Sequence, residues 1–162
     1  MSWYYEIYAF SDLRDEKTLD TFFQKYSNRE KVENNEFLIQ TWSGEEIEIV
    51  VDSLTDLIDF AKTNPFYHFR NYIEPHKEGI THLILSFTED SGIIFGICID
   101  EKNERTFNNY TQCLEIENNL KSQFKYTYIS TNYPPAKNLN EFKDDIVKWQ
   151  NLSEDIEYIR KQ

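Results

Sequence analysis

The sequence predicts an α+β domain, in which a mainly antiparallel sheet of six or seven strands carries helices packed on it. Short segments of alternating bulky residues are separated by turn residues, and other segments repeat apolar residues three and four positions apart. These segments follow the order βαββαβ and then ββαβ, with a helix at the C-terminal end. The first six match the split βαβ, ferredoxin-like arrangement, in which helices cover one face of the sheet.

Seven segments are predicted to form strands, because bulky and β-branched residues alternate within them and turn residues bound them. The first is the aromatic segment WYYEIYAF at residues 3–10. Ser43-Gly44 is the expected turn between the second strand and the third. The other six strands are predicted at 37–42, 45–51, 66–73, 80–87, 93–99 and 125–131.

Four helices are predicted from their apolar spacing. The second has clear boundary signals: Ser53 followed by Asp56 resembles a capping box, and Asn64-Pro65 ends the helix. The four helical segments are 15–26, 53–62, 113–124 and 139–149. Residues 150–162 either extend the last helix or form a short helical tail.

The composition fits a single acidic domain, 1–162. Seventeen Lys and Arg stand against 29 Asp and Glu, which gives a net charge of −12. A protein that binds nucleic acid directly needs a basic surface for the phosphates, and no segment rich in Lys and Arg occurs. We therefore expect no direct nucleic-acid binding. An acidic surface instead attracts basic partners.

We expect a cytoplasmic protein that does not associate with membranes. No apolar run is long enough to span a bilayer. The N-terminal segment MSWYYEIYAF lacks the charged-then-apolar layout of a signal peptide. Two cysteines in a chain of this size fit a reducing compartment.

The segment ITHLILSFTEDSGIIFGICID, residues 80–100, holds a candidate Cys–His pair. If Phe87 faces Ile93 across the TEDSG break, His82 faces Cys98 with Cβ atoms about 5 Å apart. Such a pair can form a thiolate nucleophile, but mid-strand N–H groups are used by the sheet and the local charge is negative. We interpret the pair as structural, a buried cysteine beside a hydrogen-bonded histidine. The opposite face is the predicted core, with Leu83, Leu85, Phe87, Phe95, Ile97 and Ile99.

The chain lacks the motifs that identify common reactions. His68, His76 and His82 do not have metal-ligand spacing, and the four glycines form no phosphate-binding loop. No GxSxG nucleophile elbow occurs, and the carboxylates are too numerous for any pair to stand out as an acid–base couple. We expect no catalytic residue, no metal ion and no cofactor.

Acidic residues cluster at strand ends, where they form either a solvated surface or an anionic interface. With a turn at 43–44, the expected pairing places Glu48 on the more polar face of its hairpin together with Ile39. Nearby aromatic residues favour an interface, because Trp and Tyr are frequent hot-spot residues. The candidate partner-binding residues are Trp42, Glu45, Glu46, Glu48, Glu89, Asp90, Glu101 and Glu104.

An acidic α+β chain that begins with the aromatic strand WYYEIYAF and carries acid clusters such as GEEIE and IDEKNE resembles the immunity proteins of bacterial contact-dependent inhibition and polymorphic toxin systems. The resemblance is one of overall character and rests on no diagnostic motif, so no residue roles are carried over. It implies a non-catalytic cytoplasmic protein that binds a toxin domain, commonly a basic nuclease, and covers its active site. Close charge pairs across such interfaces are worth about 1.5–7 kcal/mol each.

Two other functions fit the same sequence. One is a small enzyme or small-molecule-binding module with a pocket between the sheet and the helices, and the other is a regulator or scaffold with a different protein partner. An enzyme requires a polar pocket with perturbed titratable groups, whereas an inhibitor requires a contiguous acidic surface.

Overall fold

The computed structural model describes residues 3–41, 47–102 and 106–161, and these form seven strands and six helices. The strands are β1 Trp3–Ser11, β2 Phe37–Thr41, β3 Ile47–Val51, β4 Phe69–Ile73, β5 His82–Phe87, β6 Ile93–Glu101 and β7 Tyr126–Thr131. The helices are α1 Glu16–Tyr26, α2 Arg29–Val32, α3 Leu54–Thr63, α4 Tyr110–Lys121, α5 Leu139–Trp149 and α6 Leu152–Arg160. The predicted α+β class is confirmed. Within these ranges no helix has both the length and the apolar character needed to cross a membrane.

The strands are divided between two antiparallel sheets. Five form the main sheet in the order β4-β5-β6-β1-β7, and β2 pairs with β3 in a separate hairpin. β1 pairs with β6 along one edge and with β7 along the other, so neither edge is free for β2 or β3. The chain order βαββαβ is present, but the strand pairing differs from a ferredoxin-like sheet. The sequence predicts six or seven strands in one sheet, whereas the structure has five strands in the main sheet and two in the separate hairpin.

The sequence does not predict α2, and several element boundaries differ from those expected. Helix α4, for example, spans Tyr110–Lys121 rather than 113–124. α2 is a single turn that follows Asn28, whose side chain accepts a hydrogen bond from the Lys31 N–H, and four residues are too few to show helical spacing. β4 begins at Phe69, three residues later than predicted. The chain is still turning before it, because the Tyr67 N–H donates to the Asn64 carbonyl at 3.2 Å.

The predicted register of the β5–β6 hairpin is confirmed. Phe87 faces Ile93, and His82 faces Cys98 at the other end of the ladder. The apolar set predicted for the core is buried on one face of the sheet. The register was predictable because a slip by one residue would expose that whole set to solvent.

The predicted register of the β2–β3 hairpin is wrong by one residue. Ile39 pairs with Ile49 rather than Glu48, and it is fully buried instead of lying on the polar face. Glu48 pairs with Gln40 on the opposite face. The last described pair is Thr41 with Ile47, so five residues separate the two strands in the sequence, where a two-residue turn was assumed.

The first face of the main sheet carries most of the core. Helices α1, α3 and α4 pack on it, together with the inner face of the β2–β3 hairpin and Ile156 of α6. The helices have the apolar spacing that the sequence predicts, with Leu19, Phe22, Phe23 and Tyr26 buried in α1. The second face is covered by α5 and the segment before it, mainly through Phe142 and Ala136.

Arg14 joins three elements at one end of the main sheet. Its Nε donates to the Gly92 carbonyl at 2.9 Å and its Nη2 to the Thr88 carbonyl at 2.7 Å, both in the β5–β6 turn. Nη1 donates to the Ala61 carbonyl near the end of α3. Burial lowers the pKa of this guanidinium to about 10. The fork geometry of the side chain lets one residue bind three carbonyls.

Helix α6 is attached to the start of α4. Arg160 Nε donates to the Thr106 carbonyl at 2.9 Å, and its Nη2 donates to the Phe107 carbonyl. The hydroxyls of Tyr110 and Ser153 also form a hydrogen bond. The C-terminal segment is therefore a separate helix packed on the same core as α4, and it does not extend α5.

Replacing Leu85 or Phe95 by alanine should lower the free energy of unfolding by about 2–5 kcal/mol. Both side chains are fully buried on the first face, and the resulting cavity refills only in part. Chemical denaturation measures the change. Val147→Ala on α5, where the side chain is 62 % exposed, is the control and should change stability by about 0.5 kcal/mol or less. Wild-type stability in both core variants would show that the assigned packing is incorrect.

Candidate functional site

Of the eight predicted partner-binding residues, the structure describes four, and these four are not brought together. Trp42, Glu45, Glu46 and Glu104 lie outside the residues that the structure describes. The other four are Glu48, Glu89, Asp90 and Glu101, and they lie in three separate places.

Glu48 lies on the exposed outer face of the β2–β3 hairpin. Gln40 Nε2 donates to Glu48 Oε1 at 3.0 Å across the two strands. The pair formed by Leu38 and Val50 lies on the same face, since residues two apart in a strand point the same way. These side chains are 48 % and 58 % exposed. Glu48 is therefore next to an exposed apolar pair.

Glu89 and Asp90 lie in the β5–β6 turn and hold the start of α5. Asn138 Nδ2 donates to Glu89 Oε1 at 2.8 Å, and the Leu139 N–H donates to Asp90 Oδ2 at 2.9 Å. A carboxylate at a helix N-terminus pairs with free N–H groups and with the positive end of the helix dipole. Both residues are exposed, but their hydrogen bonds stabilise the contact between the β5–β6 turn and the start of α5.

Glu101 is buried, with 4 % of its surface exposed. Its Oε2 accepts a hydrogen bond from the Asn109 N–H at 3.1 Å, just before α4 begins. The side chain therefore does not belong to an exposed acidic surface. It also lies at the far end of β6 from Asp90, roughly 26 Å away along the strand.

A different group of side chains converges on the second face of the sheet. A pocket of about 400 Å³ lies there, between β4 and the loop 132–135 that leads towards α5. We call it the Glu6 pocket, and define it by Tyr4, Glu6, Tyr8, Tyr72, His82 and Tyr133.

One row of residues crosses four strands at this pocket. His82 on β5 faces Cys98 on β6, Cys98 faces Glu6 on β1, and Glu6 faces Ser130 on β7. Neighbouring strands lie about 4.8 Å apart, so the imidazole and the carboxylate are on opposite sides of the thiol. Strand pairing alone thus brings together residues that are far apart in the sequence.

Glu6 is a buried acid within this row, with 7 % of its surface exposed. Its Oε2 accepts hydrogen bonds from Ser130 Oγ at 3.3 Å and from the Tyr133 N–H at 3.2 Å. In the described part of the chain, no Lys, Arg or His nitrogen lies within 4.0 Å of the carboxylate. Burial raises the pKa of Glu6 to about 8, although these hydrogen bonds lower it in part.

Tyr133 fixes the loop side of the pocket with three hydrogen bonds. Besides its N–H donation to Glu6, its carbonyl accepts from the Tyr8 hydroxyl at 2.6 Å. Its own hydroxyl donates to Asp145 Oδ1 on α5 at 2.8 Å. The loop is thereby tied both to β1 and to the helix that covers the rest of this face.

Aromatic rings form the rim of the pocket. The His82 ring lies 5.8 Å from the Tyr4 ring and 5.5 Å from the Tyr72 ring, measured between centroids. Tyr72 is 58 % exposed, and the Tyr4 N–H donates to Asn132 Oδ1 at 2.8 Å. The rim therefore combines one ring open to solvent with two that are partly covered.

The floor of the pocket depends on Gly96. A Cβ atom there would lie 2.8 Å from Tyr8 Cε1 and 3.0 Å from Ile84 Cβ, so the Tyr8 ring lies directly over the glycine backbone. Tyr8 faces Gly96 across the β1–β6 ladder. A larger residue would displace a ring whose hydroxyl is bound to the loop.

The pocket opposes thiolate chemistry. Burial and the nearby Glu6 carboxylate raise the pKa of Cys98 to about 12, so the thiol remains protonated at neutral pH. Burial lowers the pKa of His82, which keeps the imidazole neutral. These features support the structural interpretation of the facing Cys–His pair. The Glu6 pocket instead places a carboxylate and aromatic rings around a space that a small chemical group can enter.

Sequence reasoning missed Glu6. The available signal was its position as the one charged residue in the aromatic strand WYYEIYAF. A lone acid in a strand buried on both faces requires a local partner or a function. The residues that surround Glu6, however, are determined by the order of the strands in the sheet.

No group of three or more His, Cys, Asp and Glu side chains arranged to hold a metal ion is found in residues 3–41, 47–102 and 106–161. Comparison of the chain with protein-family models, with curated proteins and with solved structures finds no match. The charges and the geometry of the chain itself are therefore the basis for its function.

Both thiols should react slowly with a thiol reagent at pH 7 in the folded protein. Cys98 and Cys113 are 2 % and 0 % exposed, and burial raises the pKa of each. Stopped-flow labelling of the native protein measures the rate, with the denatured protein as the reference. Cys113→Ser isolates the signal of Cys98. Labelling of this variant as fast as that of the denatured chain would show an accessible thiolate at Cys98.

Glu6→Gln should stabilise the protein increasingly as pH rises from 4.5 to 8. The folded protein keeps the Glu6 proton until about pH 8, whereas the unfolded chain loses it near the ordinary value of 4.5. In this window the unfolded state binds fewer protons, so wild-type stability falls relative to the variant, by up to about 1.4 kcal/mol per pH unit. Urea denaturation at pH 5 and pH 8 measures the difference.

The matched control for this prediction is Glu154→Gln on α6, which removes an exposed carboxylate. Its stability difference from wild type should be nearly the same at both pH values. A Glu6→Gln difference that is equally independent of pH would contradict the raised pKa of Glu6.

Proposed function

We propose that this protein is a non-catalytic immunity protein that acts in the cytoplasm by binding a basic toxin domain, such as a nuclease, and covering its active site. The observation that carries the proposal is the net charge of −12. A nuclease active site is shaped for a polyanion, so an acidic protein surface complements it and speeds the encounter.

The outer face of the β2–β3 hairpin is the surface that best fits this role. Leu38 and Val50 expose an apolar pair there, and Glu48 provides a carboxylate beside them. An interface commonly has an apolar centre with a charged rim, and a hairpin outside the main sheet can contact a partner without disturbing the core. The predicted residues Trp42, Glu45 and Glu46 follow β2 directly in the sequence.

A small-molecule-binding module is the second candidate. The Glu6 pocket favours it, because a buried acid with a raised pKa in a concave site is a feature of functional sites. The two functions place the contacts on different elements: the toxin inhibitor uses the β2–β3 hairpin, and the module uses β1, β5 and the 132–135 loop.

Charge reversal at Glu48 should slow association with the toxin domain and reduce the dependence of the association rate on salt, because long-range attraction steers the encounter. Val50→Ala should mainly raise the dissociation rate, since it removes a short-range apolar contact. Surface plasmon resonance at 50 and 300 mM salt measures both rates. Glu154→Lys on α6 makes the same change in net charge and should have the smaller effect.

Co-expression with a basic toxin domain encoded beside the gene tests the function directly. Cells that produce this protein should survive a toxin that kills cells without it, and the two proteins should form a complex at low salt. Equal killing in both strains, together with the lack of a complex, would refute the immunity function.

A further inference from the structure

The Glu6 carboxylate is a buried acid that faces open space. The side chain is 7 % exposed, yet it lines a pocket of about 400 Å³, which is within the usual size range of small-ligand sites. Its hydrogen-bond donors, Ser130 and the Tyr133 backbone, are neutral. Ionising a carboxylate in such a place costs free energy, and a cation beside it offsets that cost.

The side chains around the carboxylate suit a cation. The rings of Tyr4, Tyr72 and His82 form the rim, and the fully buried Tyr8 ring lies beneath them. The faces of tyrosine rings carry negative electrostatic potential and attract guanidinium and ammonium groups. α5 already uses this interaction nearby, where Lys148 Nζ lies 4.4 Å from the centre of the Tyr133 ring.

We propose that the Glu6 pocket is a binding site for an alkylguanidinium or alkylammonium group, held with its charge against the Glu6 carboxylate and its carbon atoms against the tyrosine rings. The site is independent of the toxin-binding function proposed above, because the isolated protein can bind a small cation without any partner.

Arg70 also lines the pocket, but it does not take the place of the ligand. It lies on β4, and β5 and β6 separate β4 from the strand that carries Glu6. Three strand spacings place the two backbones roughly 14 Å apart.

Titratable groups face Glu6 from every neighbouring element. They are Tyr4 and Tyr8 on β1, Arg70 and Tyr72 on β4, His82 on β5, Cys98 on β6, Tyr128 on β7, Tyr133 in the 132–135 loop and, through Tyr133, Asp145 on α5. Burial raises the pKa of Cys98 to about 12 and raises those of Tyr8 and Tyr128, and it lowers the pKa of His82. With a pKa raised to about 8, Glu6 is the group on the inner surface of the pocket whose ionisation changes between pH 7 and 9. Cation binding should therefore be about tenfold stronger at pH 9 than at pH 7.

The probe is n-butylguanidinium chloride, which remains charged over this range, and ¹H–¹⁵N NMR titration follows the amides of Glu6 and Tyr133. We expect saturable shifts at pH 9 with a roughly millimolar Kd. n-Butylurea has the same shape without the charge and should not bind. The absence of saturable shifts with n-butylguanidinium up to about 100 mM would overturn the proposal.

Two variants locate the site. Glu6→Gln keeps the size of the side chain and should weaken binding at least about tenfold, and Tyr72→Ala removes an exposed ring and should weaken it about threefold to tenfold. Glu154→Gln is the matched control with unchanged binding, and thermal melting verifies that each variant is folded. Wild-type affinity in a folded Glu6→Gln variant would refute the site.

A capped peptide, acetyl-Ala-Arg-Ala-amide, distinguishes two sources of the cation. Affinity equal to or above that of n-butylguanidinium indicates that the pocket receives an arginine side chain of a protein. Much weaker binding of the peptide indicates that it receives a free small molecule. Either result is consistent with the cation site, whose validity is decided by the Glu6→Gln comparison.

Discussion

The width of the main sheet determines where a site can form. Five strands place the outer pair about 19 Å apart, whereas a helix with its side chains is about 10–12 Å across. On the first face, α1, α3, α4 and the β2–β3 hairpin together cover the full width. On the second face α5 packs towards β7 and β1, and the segment before it closes only part of the remainder. The Glu6 pocket is the space that one helix and a short loop leave uncovered.

The burial of both faces of β1 explains the unusual composition of this strand. Because the core lies on both of its faces, Tyr5 and Ile7 are buried on one face while Tyr8 and Glu6 are buried on the other. A strand with both faces buried does not show the usual alternation of apolar and polar residues. Most buried polar atoms in proteins have a hydrogen-bond partner, and the Tyr8 hydroxyl finds one at the Tyr133 carbonyl. Glu6 finds hydrogen-bond donors, but within the described residues no Lys, Arg or His nitrogen lies within 4.0 Å of its carboxylate.

Local signals in the sequence predict local structure, but they do not indicate which distant strands pair with each other. The cap at Ser53 and the β5–β6 register depend on residues that are close in the chain, and both were found. The β2–β3 register failed because the assumed two-residue turn set the pairing by itself. Nothing near β1 in the sequence indicates that β6 and β7 are its neighbours. The row from His82 to Glu6 follows from that order, so the pocket was not predictable, although the solitary acid in WYYEIYAF was visible.

The two proposals use negative charge in different ways, and this difference separates them physically. Exposed carboxylates such as Glu48 lie in water, so their interactions with a partner act at long range and are screened by salt. Glu6 keeps its proton at neutral pH because burial raises its pKa, and it therefore adds little to the field that an approaching partner meets. It becomes charged when a cation enters the pocket, where water is largely excluded and screening is weak. Attraction to a toxin should consequently depend on salt, and occupancy of the Glu6 pocket should depend on pH.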